Sequence, residues 1–406
     1  MQNRTSRPLT RVVVALAVTV TALFGWVQWR GVGGGIWVDL DVYVMGGRTL
    51  LEGGDLYGVA SGVDLRFTYS PFAAALFVPL ALLPIDAARA VLTILSVASL
   101  ATVIVVVARR LRLRPPATAW LVVATAALEP LMRTLLLGQV NLILMAMVVL
   151  DLLVLPARWR GLLIGIAAGI KLTPAVFVFY LILKRDWASL VRTVIAFAAS
   201  VVVGWILAPK ASASFWGGGF LGLGRFGSDA VVGTDNQSLL AAVLRLLGRP
   251  EVPLVAQVGL ALVGVTLGTL AARRSLHDAG RAAEVAAVAW IAFGGLLGSP
   301  VSWSHHWVWV VVALAVFVSR QQWVRAAMVL VLFWYPIIWI TYTEEPFGEL
   351  TFPWWKAALS AVYVLVGTAA LIREATHVVP PTRAEPPRAR QESVDRSDAA
   401  MVAPNQ

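Results

Sequence analysis

Long apolar runs separated by short basic connections dominate this chain and recur until about residue 372. A helix needs about 20 apolar residues to cross the hydrocarbon core of a bilayer. Runs near that length lie at 12–28, 87–108, 117–129, 140–156, 187–207, 254–272, 285–298, 307–319, 325–342 and 354–372, and they predict about ten crossings. The apolar piece 71–83 is too short to cross comfortably. The stretch 161–180 begins and ends on the arginine-rich side and is interrupted by Lys171, Leu172, Thr173 and Pro174. Proline removes an amide donor and breaks a helix, so two half-helices that dip in and return fit better than one crossing. The pattern predicts an all-α polytopic membrane protein with re-entrant and interfacial helices.

The basic residues orient these runs. Arg4, Arg7 and Arg11 precede the first run, which lacks a small-residue cleavage site and reads as an uncleaved anchor. Later connections carry Arg109, Arg110, Arg112 and Arg114, then Arg158 and Arg160, then Lys184 and Arg185, then Arg273, Arg274 and Arg281, then Arg320 and Arg325. Cytoplasmic loops concentrate such residues. Both termini are then inside and residues 30–70 outside. Residues 1–372 form the membrane domain, and 373–406, rich in Pro, Arg, Glu and Ser, read as a disordered cytoplasmic tail.

Composition sharpens this reading. With 59% hydrophobic and 14% charged residues, the chain has too little polar material to cover a soluble domain of its size. A net charge of +11 would suggest nucleic acid in a soluble protein, but here the charge sits in loops and reports topology. No nucleic-acid partner is expected. The absence of cysteine excludes disulfides and thiolate metal ligation.

The outside loops are long and hold the unusual residues. In the first, Asp39, Asp41 and Tyr43 follow Trp37. If 39–52 is helical, Asp39 and Tyr43 share a face and Asp41 points elsewhere. Asp39 reads either as the N-cap of an interfacial helix or as a general base that takes a proton from a hydroxyl. His305 and His306 lie in a second cluster, Ser299–Trp307, beside Trp303 and Trp307. The tryptophans form an interfacial belt. Adjacent histidines on an α-helix cannot both face one cavity, so a two-histidine metal site is not expected and one imidazole reads as a phosphate or sugar contact. Gln139 and Asn141 are helix-packing residues or ligand contacts. Asn236 and Ser238 resemble helix-cap chemistry ahead of 239–247. Lys171, in the broken segment, is either a snorkelling residue or a site for a lipid phosphate.

Taken together, Val38 to Tyr43, Thr68 to Phe72, Gly138 to Asn141, Gly169 to Pro174, Asn236 to Ser238 and Ser299 to Trp307 resemble, in order and spacing, the polyprenol-phosphate-sugar-dependent GT-C glycosyltransferases of family 87. The resemblance covers about residues 12–372 and points to the α-1,2-mannosyltransferases that extend phosphatidylinositol mannosides or decorate lipomannan and lipoarabinomannan. It implies a GT-C fold in the plasma membrane and a site facing outside. The implied partners are membrane lipids, a β-linked polyprenyl-phosphate-mannose donor and a glycolipid acceptor. Transfer then inverts in one displacement with Asp39 as base and Asp41 as the alternative carboxylate. Either His305 or His306 contacts donor phosphate or acceptor sugar, with Lys171, Arg66 and Arg225 as further cation candidates. Tyr43, Gln139, Asn141 and Asn236 are candidate acceptor or sugar contacts, and Trp37, Tyr57 and Trp216 candidate stacking residues. No metal site is assigned, and a divalent cation is left open. The rival readings are an arabinofuranosyltransferase of the same family using decaprenyl-phosphate-arabinose, and a lipid or sugar transporter.

Overall fold

The computed structural model describes residues 37–376 apart from 63, 64, 127, 228, 279, 335 and 336. The predicted first crossing, 12–28, and the tail beyond 376 lie outside the described residues. Among these residues the chain is all-helical, with isolated β-bridges but no strand.

Four helices are long and apolar enough to cross a membrane: Ile85–Arg110, Trp187–Leu207, Leu254–His277 and Arg281–Gly298. Two bent pairs add further candidate spans. Glu129–Leu137 meets Asn141–Leu153 at 117°, and Trp354–Ser360 meets Val362–Thr376 at 72°. The described residues thus hold four to six candidate spans. Other predicted crossings fold as shorter pieces, among them Pro115–Thr125, Ser304–Ser319 and Trp323–Leu332. Length explains the difference, because an 11-residue helix such as Pro115–Thr125 reaches only about 16 Å at 1.5 Å per residue, about half of a hydrocarbon core. The protein is a multi-pass membrane protein.

Small residues bring the spans together. Leu254–His277 buries Gly264, Gly268, Ala271, Ala272 and Ser275 and leaves Leu254, Val255 and Leu262 exposed. A methyl group at Gly268 would fall 2.6 Å from the Gly294 Cα, and one at Gly264 would fall 2.8 Å from the Gly298 Cα. Lipid supplies no hydrophobic drive between helices, so close backbone approach must supply the attraction.

The broken segment is pinned at its start. Asp151, at the end of Asn141–Leu153, accepts from the amides of Gly161 at 2.5 Å, Leu163 at 2.7 Å and Ile164 at 3.1 Å. Those donors open the helix Leu162–Ile170 and would otherwise lack partners. That helix stops at Lys171, whose backbone is extended, and the chain resumes in the 3₁₀ turn Thr173–Phe177 and helix Val178–Leu183. The interruption falls where the Lys171–Pro174 sequence predicts it.

Replacing Gly268 by leucine is expected to push the Leu254–His277 and Arg281–Gly298 helices apart at a cost of about 1–3 kcal/mol, as overpacking does. Thermal unfolding of the detergent-solubilised protein should show a lower midpoint, with Leu262→Ala, on the exposed face, as an unshifted control.

Candidate active site

A cavity of about 830 Å³ opens where the first described helix, the broken segment and the loops 215–235 and 299–306 converge. Its charged and titratable lining comprises Asp39, Asp235, Arg66, Arg133, Lys171, Arg225, His305 and His306, with Tyr69 and Tyr342 beside them.

Asp39 reaches the cavity because of how its helix begins. Val38–Leu51 starts after Trp37, which has a left-handed backbone (φ 66°) and donates its amide to the Leu136 carbonyl at 2.8 Å. Gly138, itself at φ 68°, leaves room for this start, since a Cβ there would lie 2.9 Å from both Leu40 and the Trp37 ring. Asp39 therefore lies next to Gln139. It is not the cap, because the cap position is Trp37 and has no side-chain cap bond. Tyr43, on the same face, donates to Gln139 Oε1 at 2.8 Å, and Tyr69 donates to the same oxygen at 3.2 Å. With its carbonyl so occupied, Gln139 leaves its amide hydrogens available to the Asp39 carboxylate, whose ionised form they favour. Burial pushes the Asp39 carboxyl up to about 6, and nearby Asp235 adds to the rise. The Gln139 hydrogen bond, Lys171 and Arg133 oppose it. Asp41 does not line the cavity, as the helical spacing predicts, and its nearest influential charge is Arg89.

Lys171 crowns the helix break. Its Nζ donates to Asn141 Oδ1 at 3.0 Å and lies 2.8 Å from His306 Nε2. An ammonium has only donors, so this contact leaves Nε2 as the acceptor and places a neutral His306 proton on Nδ1. Both hydrogen-bond partners of Lys171 are thus neutral. His305 and His306 both line the cavity, contrary to the α-helical expectation. The segment Ser304–Trp309 is a 3₁₀ helix with a non-helical residue at Trp307, and the two rings stand perpendicular at 4.7 Å. The His305 carbonyl accepts from Thr134 Oγ1 at 2.8 Å and Asn141 Nδ2 at 2.9 Å.

Arg66 is exposed at the rim. Arg225 lies 4.6 Å over the Phe226 ring and donates to the Thr68 carbonyl at 3.4 Å. Asn236 is fully buried and takes no part in the lining, since its amide donates to the carbonyls of Val231 and Pro300 and its oxygen accepts from the Ser302 amide. Ser238 caps Leu239–Leu247, as its position suggests. Trp37, Tyr57 and Trp216 also lie outside the lining; Tyr57 stacks on Phe215 and Trp216 packs edge-on against Phe197.

The lining also contains Arg133, Asp235, Trp339 and Tyr342, to which the sequence pattern assigns no role. Arg133 Nη2 donates to Asp235 Oδ2 at 3.2 Å, and its guanidinium lies 4.1 Å over the Trp339 ring. Asp235 Oδ1 also accepts from the Ser304 amide at 3.2 Å. Burial works against the Asp235 charge, but Arg133, His305 and the Ser304 hydrogen bonds outweigh it and hold the carboxyl below its usual value. Buried Glu129 accepts from Ser304 Oγ at 2.8 Å and Tyr363 OH at 2.9 Å. A sequence signal did exist. Arg133 is the single basic residue between Arg114 and Arg158 and follows Glu129 by one helical turn; charge in so apolar a stretch marks function. Among the described residues, no group of three His, Cys, Asp or Glu is arranged to hold a metal ion.

The cavity thus gathers two carboxylates, four cations, two imidazoles and several aromatic rings. Residues 67–300 match the model of glycosyltransferase family 87, more than half of the chain. The chain belongs to this family. It is therefore a glycosyltransferase, as the sequence resemblance implies. Two of its relatives are polyprenol-phosphate-mannose-dependent α-(1-2)-phosphatidylinositol mannoside mannosyltransferases. The one from Mycolicibacterium smegmatis is 35% identical over 84% of this chain and 87% of its own length. The one from Mycobacterium tuberculosis is 34% identical over 88% and 87%. A phosphatidylinositol pentamannoside mannosyltransferase from Mycolicibacterium smegmatis, dependent on the same donor, is 32% identical over 88% and 89%.

The hydrogen bond from Gln139 favours ionised Asp39, so its loss in Gln139→Met should raise the pH at which this glycosyltransferase's Asp39 titrates above the parent's value of about 6. Infrared titration of the carboxyl band, assigned through its disappearance in Asp39→Asn, measures this. An unchanged or lower midpoint contradicts the arrangement.

Proposed function

We propose that the protein is an inverting α-1,2-mannosyltransferase working on the outer face of the plasma membrane. It moves mannose from polyprenyl-phosphate-mannose to a phosphatidylinositol mannoside or a lipomannan-type acceptor. The activities of the relatives support both the donor and the acceptor class. The observation that carries the mechanism is Asp39, a carboxylate on the cavity wall that lies beside Gln139, is not held in an ion pair as Asp235 is, and is raised to about 6. A general base works best when its pKa lies near the working pH.

In the reaction, an acceptor hydroxyl oxygen forms a bond to C1 of the mannosyl group as the C1–O bond to phosphate breaks. The bonding pair leaves with polyprenyl phosphate, and the hydroxyl proton passes to Asp39. Phosphate departs as an anion and needs no acid, provided cations are positioned for its charge. Lys171 serves there because its hydrogen-bond partners, Asn141 and His306, are neutral. Arg66 and Arg225 add positive charge on the cavity wall. The polyprenyl chain lies along the apolar residues of the same cavity, including Phe220, Leu221 and Leu223.

Membranes carrying the protein should transfer radiolabelled mannose from polyprenyl-phosphate-mannose to glycolipid and should not use decaprenyl-phosphate-arabinose. Asp39→Asn is expected to lower the rate about 10²- to 10⁴-fold, while Asp41→Asn stays near the parent. The reverse order would assign the base to Asp41, and sugar movement without covalent transfer would indicate a transporter. The base acts when ionised, so activity must fall as pH drops through its pKa. With a pKa of about 6, the ionised fraction, and with it the rate, should fall about tenfold between about pH 7 and about pH 5.

A further inference from the structure

The cations of the cavity divide into two chemical kinds. Lys171 has hydrogen-bond partners that carry no charge, and Arg225 bonds only to a carbonyl and lies over aromatic rings. Arg133 instead has its charge matched by Asp235 at 3.2 Å. A phosphate gains more from a cation whose hydrogen-bond partners are neutral than from one held in a direct ion pair, whose carboxylate repels it. A neutral polyol has the opposite preference. Adjacent sugar hydroxyls donate to a carboxylate and accept from a guanidinium at once, so a fixed Arg–Asp pair offers both halves of what a diol needs.

The pair is fixed. Asp235 is held by the Ser304 amide as well as by Arg133. Arg133 rests on the Trp339 ring, and Trp339 lies against Tyr342 with centroids 5.7 Å apart. Tyr342 also lines the cavity, and 53% of its surface is open. An open aromatic ring beside a diol-binding pair is a platform for the apolar face of a pyranose. Arg133 and Asp235 both act electrostatically on Asp39, so a sugar seated on them lies near the proposed base.

Resting on the proposed transferase reading, we propose that Arg133, Asp235 and Tyr342 form the acceptor subsite. It takes the terminal pyranose of the acceptor through two adjacent hydroxyls, while the donor phosphate binds at Lys171. Trp339 is a positioning residue that keeps the guanidinium in place. The subsite thus selects the sugar to be extended, separately from the group that is transferred.

The test uses the purified full-length protein and two probes, methyl α-mannopyranoside and polyprenyl phosphate, neither of which requires turnover. Saturation-transfer NMR should detect the mannoside on the parent. The signal should be lost in Arg133→Gln, weakened about two- to tenfold in Tyr342→Ala and kept in Tyr342→Phe. Polyprenyl phosphate should raise the thermal midpoint of all four proteins equally. In turnover, Tyr342→Ala should raise the acceptor KM over the same range and leave the donor KM unchanged. Equal mannoside binding by parent and variants, no mannoside binding by the parent, or loss of the polyprenyl phosphate shift in Arg133→Gln or Tyr342→Ala would overturn the assignment. Absence of mannosyl transfer by the parent, with mannoside binding intact and lost in Arg133→Gln, would instead refute the donor and leave the subsite standing.

Discussion

The backbone carbonyl of His305 accepts two hydrogen bonds, from Thr134 on Glu129–Leu137 and from Asn141 on Asn141–Leu153. Those helices meet at 117°, so one oxygen ties both arms of the bend to the histidine segment. A carbonyl away from water must find partners within the protein, and here the partners come from the helix that carries Arg133 and from the helix that begins just after Gln139. From the other side, Gly233–Ser238 is stitched to the same segment: Gln237 donates to the Ser302 carbonyl and Ser304 to the Asp235 carbonyl, each at 2.8 Å. The cavity wall is therefore set by hydrogen bonds to backbone carbonyls, and its charged side chains inherit their places from them.

Local information in the sequence was enough for features that depend on neighbours along the chain. The apolar runs gave helices, the Lys171–Pro174 interruption gave a break, and the four-residue spacing of Asp39 and Tyr43 gave a shared face. Ser238 before Leu239–Leu247 gave a cap. Features made by distant partners were less legible. Asp235 and Arg133 are 102 residues apart, and nothing near either announces the other. Asn236 looked available for a ligand, yet contacts with Val231, Pro300 and Ser302 occupy it. The two histidines face one cavity because their segment is 3₁₀, a choice governed by packing around Trp307, which is completely buried.

Crossing number was harder still. Hydropathy reports that a run is apolar, but not whether it is continuous. Gly138, in the left-handed region, ends Glu129–Leu137, and the next helix leaves in a new direction. Interrupted helices bring backbone ends and polar side chains to one place, which a bundle of unbroken spans does not. The departures from regular spans at Gly138, Lys171 and Trp307 fall at or next to the lining residues Gln139, Lys171 and His306, in keeping with irregular backbone being tolerated in membrane proteins where it serves such a space.

The short hairpin made by Asn141–Leu153 and Leu162–Ile170 is tied at both ends, by Asp151 to the amides at Gly161, Leu163 and Ile164 and by Lys171 to Asn141. Such a double tie makes the two arms a matched pair of rulers. An insertion of one turn in either arm alone would slide the ammonium about 5.4 Å along the helix axis and out of reach of His306. Length changes in this part of the chain can then persist only in compensating pairs, so the hairpin should vary in residue identity far more freely than in residue number.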